Sequence, residues 1–170
     1  MSNPRFSEKQ VAYRQPWILL MSIACMGILI GMFIYQVITG IPVGDKPMSD
    51  TGYLVMIVLL GGLFGVLLST TLQLEMDEQG IRYRFWPFVG RWVSQSWHDM
   101  ESVEVRSYRP LLEYGGWGYR YGLKGRALTL GGRVGVQLTN KSGKRLLIGV
   151  DNDTEAARVI AHYKRRPDQD

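Results

Sequence analysis

Two long stretches without a single charge constrain this chain more than anything else in its 170 residues. Trp17 to Thr39 reads WILLMSIACMGILIGMFIYQVIT, and Tyr53 to Leu72 reads YLVMIVLLGGLFGVLLSTTL. Each is about 20 residues, enough at ~1.5 Å rise per residue to cross a hydrocarbon layer about 30 Å thick. A buried helix of that length in a water-soluble protein nearly always keeps a polar stripe, and neither stretch has one. The first run is too long for the apolar region of a signal peptide, and no small-x-small cleavage site follows it before Ile41. The expectation is a membrane-embedded helical hairpin.

Charge sets its direction. Arg5, Lys9 and Arg14 precede the first run against Glu8, whereas the connecting loop carries Lys46 against Asp45 and Asp50. Arg82, Arg84 and Arg91 follow the second run. Lys and Arg are retained on the cytoplasmic side, so both termini are expected there, in a multi-pass protein of the cell membrane. The boundaries read as a cytoplasmic segment 1–16, spans 17–39 and 53–73, an extracytoplasmic loop 40–52, a cytoplasmic domain 74–166 and a tail 167–170. The one cysteine, Cys25, lies within the first span, so no intramolecular disulfide is possible and the redox compartment stays open.

After Leu74 the period changes from helical to two. Ile81, Tyr83 and Phe85 alternate with Arg82 and Arg84, and Val103 and Val105 alternate with Glu104 and Arg106. VGVQLT and KRLLIGV flank Asn140-Lys141-Ser142-Gly143, a hairpin turn by composition. The end is helical: Ala156, Val159, Ile160 and Tyr163 share one face, and Asn152 with Glu155 forms a capping-box pattern. Lys164 to Arg166 suit the C-terminal end of that helix before Pro167 stops it. About seven short strands capped by one amphipathic helix follow from this.

No stretch carries a catalytic pattern. GWGYRYG misses the dinucleotide fingerprint by one residue and has no helix after it, and Gly143-Lys144 lacks the spacing of a P-loop. His98 and His162 are the only histidines, and no nucleophile elbow or clustered metal ligands are present. The reading is a non-enzyme without cofactor or metal. The net charge of +5 is interleaved with acids, which sets nucleic acid aside as a partner.

The densest feature is EYGGWGYR, Glu113 to Arg120. Glycines at that density mark a bulge or sharp bend, and Trp117 between two of them can turn into a small core. The flanking residues read as a contact surface for an interface or partner: Arg109, Tyr114, Trp117, Tyr119, Arg120, Tyr121, Lys124 and Arg126. In the spans, Gly27-x-x-x-Gly31 and Gly61-x-x-x-Gly65 have the small-residue spacing that lets helices approach closely, within the hairpin or between chains.

WHDMESVEVRSYRPLLEYGGWGYR, followed by GGRVGVQL and by GKRLLIGV before a short helix, resembles small bacterial membrane proteins with two N-terminal spans and a pleckstrin-homology-like (PH-like) domain. The likeness covers roughly residues 74–163 and the hairpin. Its most specific element is Tyr114-Gly115-Gly116-Trp117-Gly118 with Arg120, supported by Gly135-Val136-x-Leu138 and Leu147-Ile148-Gly149. It implies an antiparallel β sandwich or barrel capped by a C-terminal helix, held at the inner membrane, and transfers no catalytic residue. The function expected is a binding or scaffolding module for a protein partner or for its own copies. The alternative is an anionic-lipid headgroup binder or membrane-surface sensor acting through residues 109–126.

Overall fold

A computed structural model describes residues 3–44, 46–122 and 124–164. The chain divides into two compact units: residues 12–70 form one, and residues 1–11 with 71–170 form the other. The predicted tail 167–170 and the last two residues of the Lys164–Arg166 cluster lie outside the described residues.

The first unit is a pair of helices, α1 (Pro16–Thr39) and α2 (Asp50–Leu68). At ~1.5 Å per residue, 24 and 19 residues give lengths of about 36 and 28 Å. Pro16 starts α1, where its missing N–H costs nothing, and Gly40 ends it in the left-handed conformation at φ 66°. Ser49 caps α2 by accepting from the Gly52 N–H at 3.1 Å. Both helices are long and apolar enough to cross a membrane, and only 11% and 6% of their apolar windows are buried. Core helices of a soluble protein would be mostly covered.

The second apolar run does not all enter α2. The helix ends at Leu68, where the Ser69 hydroxyl donates to the Val66 carbonyl, and Leu72 is already the second residue of a strand.

The less exposed side chains of the pair lie at Ile18, Ser22, Met26, Leu29, Phe33 and Gln36 on α1, and at Tyr53, Ile57, Leu60, Gly61, Phe64 and Leu68 on α2. That spacing is one seam per helix. Phe33 and Tyr53 pack with ring centroids 6.0 Å apart. Gln36, the polar residue near the end of α1, donates to the Met48 carbonyl and to Asp50 Oδ1, tying down the connecting loop.

The predicted glycine seam is not what joins the helices. A Cβ at Gly27, Gly31 or Gly65 would meet nothing within 4 Å, and one at Gly61 would meet only the Met26 methyl at 3.8 Å. Larger side chains fill the seam, so no backbone approach within the pair needs these glycines.

The second unit holds two sheets and a helix. The first sheet runs β1-β2-β3-β4, from β1 (Phe6–Val11), β2 (Thr71–Asp77), β3 (Gly80–Trp86) and β4 (Val89–Gln95), all antiparallel. The second runs β5-β8-β9-β7-β6, from β5 (Met100–Ser107), β6 (Gly118–Gly122), β7 (Gly125–Thr129), β8 (Val134–Asn140) and β9 (Arg145–Gly149). Among the described residues nine strands replace the expected seven or so, β7 and β9 are parallel, and the sheets do not close into a barrel. A short helix α3 (Pro110–Tyr114) precedes β6, and α4 (Asp153–Lys164) ends the unit.

Period-two alternation places the core where the sequence implies. Leu72, Leu74, Met76, Ile81, Tyr83 and Phe85 are buried from the first sheet, and Val103, Leu128, Val136, Leu138, Leu146 and Ile148 from the second. Ala156, Val159, Ile160 and Tyr163 of α4 complete it. The capping box is present: Asn152 Oδ1 accepts from the Glu155 N–H at 3.2 Å, and Asn152 Nδ2 donates to Glu155 Oε2.

The N-terminal segment is the main departure from the expected organisation. Residues 6–11 form an edge strand of the β unit rather than a free cytoplasmic lead-in, pairing Phe6 with Met76 and Val11 with Thr71. Glu8 accepts from the Asp151 and Asn152 backbone N–H groups just before α4, and the Tyr163 hydroxyl donates to the Pro4 carbonyl. A carboxylate beside a helix start is stabilising there because unpaired N–H groups and the helix dipole both favour negative charge. The strands on either side of α1 and α2 therefore belong to one body.

Candidate functional site

The predicted contact stretch is built from a helix, a glycine turn and a hairpin. Pro110 sits in the first turn of α3, and Gly115 closes it at φ 70° with its N–H on the Leu111 and Pro110 carbonyls. Gly116 and Gly118 also hold positive φ, 126° and 112°, which a side chain rarely adopts. These three glycines serve backbone shape, as a loop rather than a bulged strand. The Pro-at-start, Gly-after-end pattern that marks α3 is visible in the sequence.

The stretch does not form one surface. Tyr114 is 4% exposed and packs with Tyr108, Ala127 and Leu147 into a small second core on the outer face of the five-stranded sheet. Tyr114 is thus a core residue and not a contact residue. Trp117 does not take that place. It stays half-buried, with its indole N–H on the Gly132 carbonyl at 3.0 Å. Along β6 the side chains alternate: Arg120 pairs opposite Ala127, while Tyr119 and Tyr121 pair opposite Leu128 and Arg126. Arg120 therefore shares the outer face with the small core, and the two tyrosines face the other way. Tyr119 stacks on Phe88 at 6.0 Å, and its hydroxyl lies 2.9 Å from that of Tyr121.

Glu113 organises the outer face. Its carboxylate accepts from the Arg109 N–H at 2.8 Å and pairs with Arg106 at 3.0 Å and Lys124 at 3.3 Å. Desolvation pushes its pKa up, but the Arg109 N–H, Arg106 and Lys124 outweigh this and hold it below the ordinary glutamate value. Arg106 also donates to Gln137 Oε1 and to the Tyr114 hydroxyl. Arg109 thus contributes a backbone group to this network, and Arg120 turns its guanidinium back onto the Trp117 carbonyl at 3.0 Å.

Two of the predicted cations do converge, with two that the sequence did not single out. Lys124 and Arg126 line a cleft of about 490 Å³ together with Lys144 and Arg145 from the β8–β9 turn and the start of β9. Tyr121 forms one wall, and no carboxylate is among its lining residues. A parallel β7–β9 pairing brings these together: Arg126 lies opposite Leu146 in the register. Nothing local in the sequence connects residues 124–126 with 144–145, because that pairing is made through the fold.

The cleft has a definite place in the β unit. The chain enters β2 from α2 at Thr71 and leaves β1 toward α1 after Val11, and these two residues are paired. Asp77, at the other end of β2, accepts the Trp97 indole N–H at 2.8 Å through its carbonyl. Two residues on, the Asp99 carbonyl accepts from Lys141 in the β8–β9 turn. The start of the β8–β9 turn therefore lies toward the Asp77 end of β2, whereas the opposite wall of the cleft, Tyr121, reaches through Tyr119 to Phe88. Six residue steps along β2 separate those ends by about 20 Å.

Among the described residues no three His, Cys, Asp or Glu side chains converge as metal ligands do. No protein-family model matches the chain, and no curated protein matches it.

Proposed function

We propose that this chain is a membrane-anchored, non-catalytic binding module of PH-like type, whose β unit presents a cationic cleft to an acidic segment of a protein partner. In this reading α1 and α2 span the membrane. Pairing of β1 with β2 favours same-side exit of both helix ends, and the Lys and Arg excess on that side favours the cytoplasm.

The carrying observation is the convergence of Lys124, Arg126, Lys144 and Arg145 on one cleft with no carboxylate in its lining among the described residues, Lys124 alone being paired, with Glu113 beside it. The three cations without a carboxylate beside them, Arg126, Lys144 and Arg145, concentrate positive potential in one concavity and attract anionic groups. Each exposed pair contributes only about 0–1 kcal/mol, so useful affinity needs several carboxylates arriving together, as an acidic peptide segment supplies. Leu111 and Leu112 stand exposed on α3, adding apolar surface of the kind a peptide can cover. The alternative is recognition of anionic lipid headgroups. It fits the cations, but the exposed Leu112 that shares a second cleft with Lys124 favours a peptide.

The test is purification of the full chain from its native membrane, wild type against the double substitution Lys144→Glu with Arg145→Glu. Both side chains are exposed, so the fold should persist. Co-purifying proteins lost from the variant, with the lipid profile unchanged, is the expected result. Loss of anionic lipid with every protein retained would support the alternative, and retention of both would remove the cleft as a binding site.

A further inference from the structure

The β3–β4 turn exposes an aromatic cluster. Phe88 is 62% exposed, and Trp86 and Trp92 are each more than two-fifths exposed. Pro87 lies between the first two. The Trp86 ring lies along the hairpin, over Gly90, where a Cβ would meet it at 3.5 Å, and the Arg84 guanidinium stands 5.8 Å from its centroid. Phe88 stacks on Phe85 at 5.7 Å on one side and on Tyr119 at 6.0 Å on the other, which holds the turn in shape.

The register says where this turn sits. Trp86 pairs with Thr71, the first residue of β2, and Thr71 pairs in turn with Val11. Only Ser69 and Thr70 separate Thr71 from the end of α2 at Leu68. Three Cα steps of 3.8 Å and one strand spacing bound the Trp86 backbone to within about 17 Å of that helix end. The turn is thus at the end of the first sheet from which both helices depart.

We infer that the Trp86-Pro87-Phe88 turn is a membrane-interface anchor: its aromatic side chains enter the headgroup layer of the bilayer that α1 and α2 span. This rests on the reading that the two helices cross a membrane. Tryptophan is favoured at that layer because its ring is apolar and its N–H is polar, and a neighbouring arginine adds attraction to an anionic leaflet. An aromatic tip beside the helix connections completes a three-point attachment with the two chain crossings. Three points fix a plane, whereas two leave the β unit free to rock. The consequence is a fixed orientation of the β unit on the bilayer.

Spin labels in the full chain reconstituted in liposomes test this. In a Cys25→Ser background, labels are placed through Leu59→Cys on α2, Phe88→Cys at the turn, and Gln79→Cys at the opposite end of β2. Collision with oxygen, which partitions into lipid, is compared with collision with a water-soluble nickel chelate. The expected order of the oxygen-to-nickel ratio is highest at 59, intermediate at 88 and lowest at 79, with position 88 several-fold above 79. A label at 88 as aqueous as that at 79, with 59 still deep, would overturn the anchor and leave the spans standing. A label at 88 shielded from both reagents would show a protein covering the turn and also overturn it. An aqueous label at 59 would defeat the spanning reading itself, and the anchor with it. As an independent readout, Trp86→Gln in the otherwise native chain should reduce quenching of tryptophan emission by lipids brominated near the headgroup. Unchanged quenching counts against the anchor.

Discussion

The helical pair and the β unit handle their apolar side chains in opposite ways. In α1 and α2 the large apolar groups point outward: Leu20, Ile28, Val58 and Leu59 are all exposed, and only a narrow seam is covered. In the β unit Leu72, Phe85, Val136 and Ile148 point inward, and Arg82, Arg84 and Arg145 point out. The same rule, that apolar surface avoids water, yields both arrangements once the surroundings of the first are themselves apolar. If the pair spans a membrane as proposed, a hydrophobic side chain stabilises the β unit by being removed from water and the helices by packing, because lipid is as apolar as leucine.

Substitutions that remove buried and outward apolar groups test that contrast most strongly. Phe85→Ala should destabilise the β unit by about 3–5 kcal/mol, since it deletes a fully covered ring and leaves a cavity. Val58→Ala, at a site 73% exposed, should shift stability by no more than about 0.5 kcal/mol. Denaturant unfolding in detergent or lipid, followed for both variants, checks the pair. Similar losses at the two sites would mean that the outward face of α2 is covered.

The loop of the β unit should be next in sensitivity. Gly116 has φ 126°, and a Cβ there would find open space, with only an Arg120 nitrogen at 3.8 Å. The cost of Gly116→Val is therefore backbone strain alone, about 1–3 kcal/mol. A melting temperature equal to that of the wild type would show that the loop relaxes to another conformation.

A smaller, pH-gated effect comes from the second core. Burial is the main reason the Tyr108 pKa is pushed up from 10.0 to about 12, with neighbouring charge a lesser one. The fold holds the neutral phenol, so this contribution is complete below pH 10, declines as pH rises beyond it, and is gone above about 12. Stability measured across that window should fall in the wild type and fall less in Tyr108→Phe. Equal slopes would place the alkaline sensitivity elsewhere.

The smallest effect is expected in the helices. Gly65→Leu meets nothing in the hairpin, so the packing of α1 on α2 should be unchanged, as judged by protease resistance. A large loss would show that Gly65 faces another copy of the chain.

Much of this molecule is readable from local pattern. The two uncharged runs, the alternation at Ile81, Tyr83 and Phe85, the Asn140–Gly143 turn and the α4 stripe each depend on neighbours within a few residues. Periodicity reports which face a residue occupies, because the 3.6 and 2.0 repeats are set by backbone geometry. Even the glycines around Trp117 declared their purpose, since φ near 70° to 126° follows from a missing Cβ.

What needed the tertiary structure is every decision about which segments meet. Residues 6–11 carry no sign that their partner is 71–77 across both helices, and Tyr114 shows no sign that it, rather than Trp117, fills the space beside Tyr108. The cleft depends on β7 lying parallel to β9, which joins Lys124 and Arg126 to Lys144 and Arg145. The split of Tyr119 from Arg120 depends on the same register. Side-chain direction is a property of a few consecutive dihedral angles, whereas strand pairing selects among many distant partners of similar pattern. That selection is made by the summed burial of both sheets, so it is decided by the whole fold and not by any segment of it.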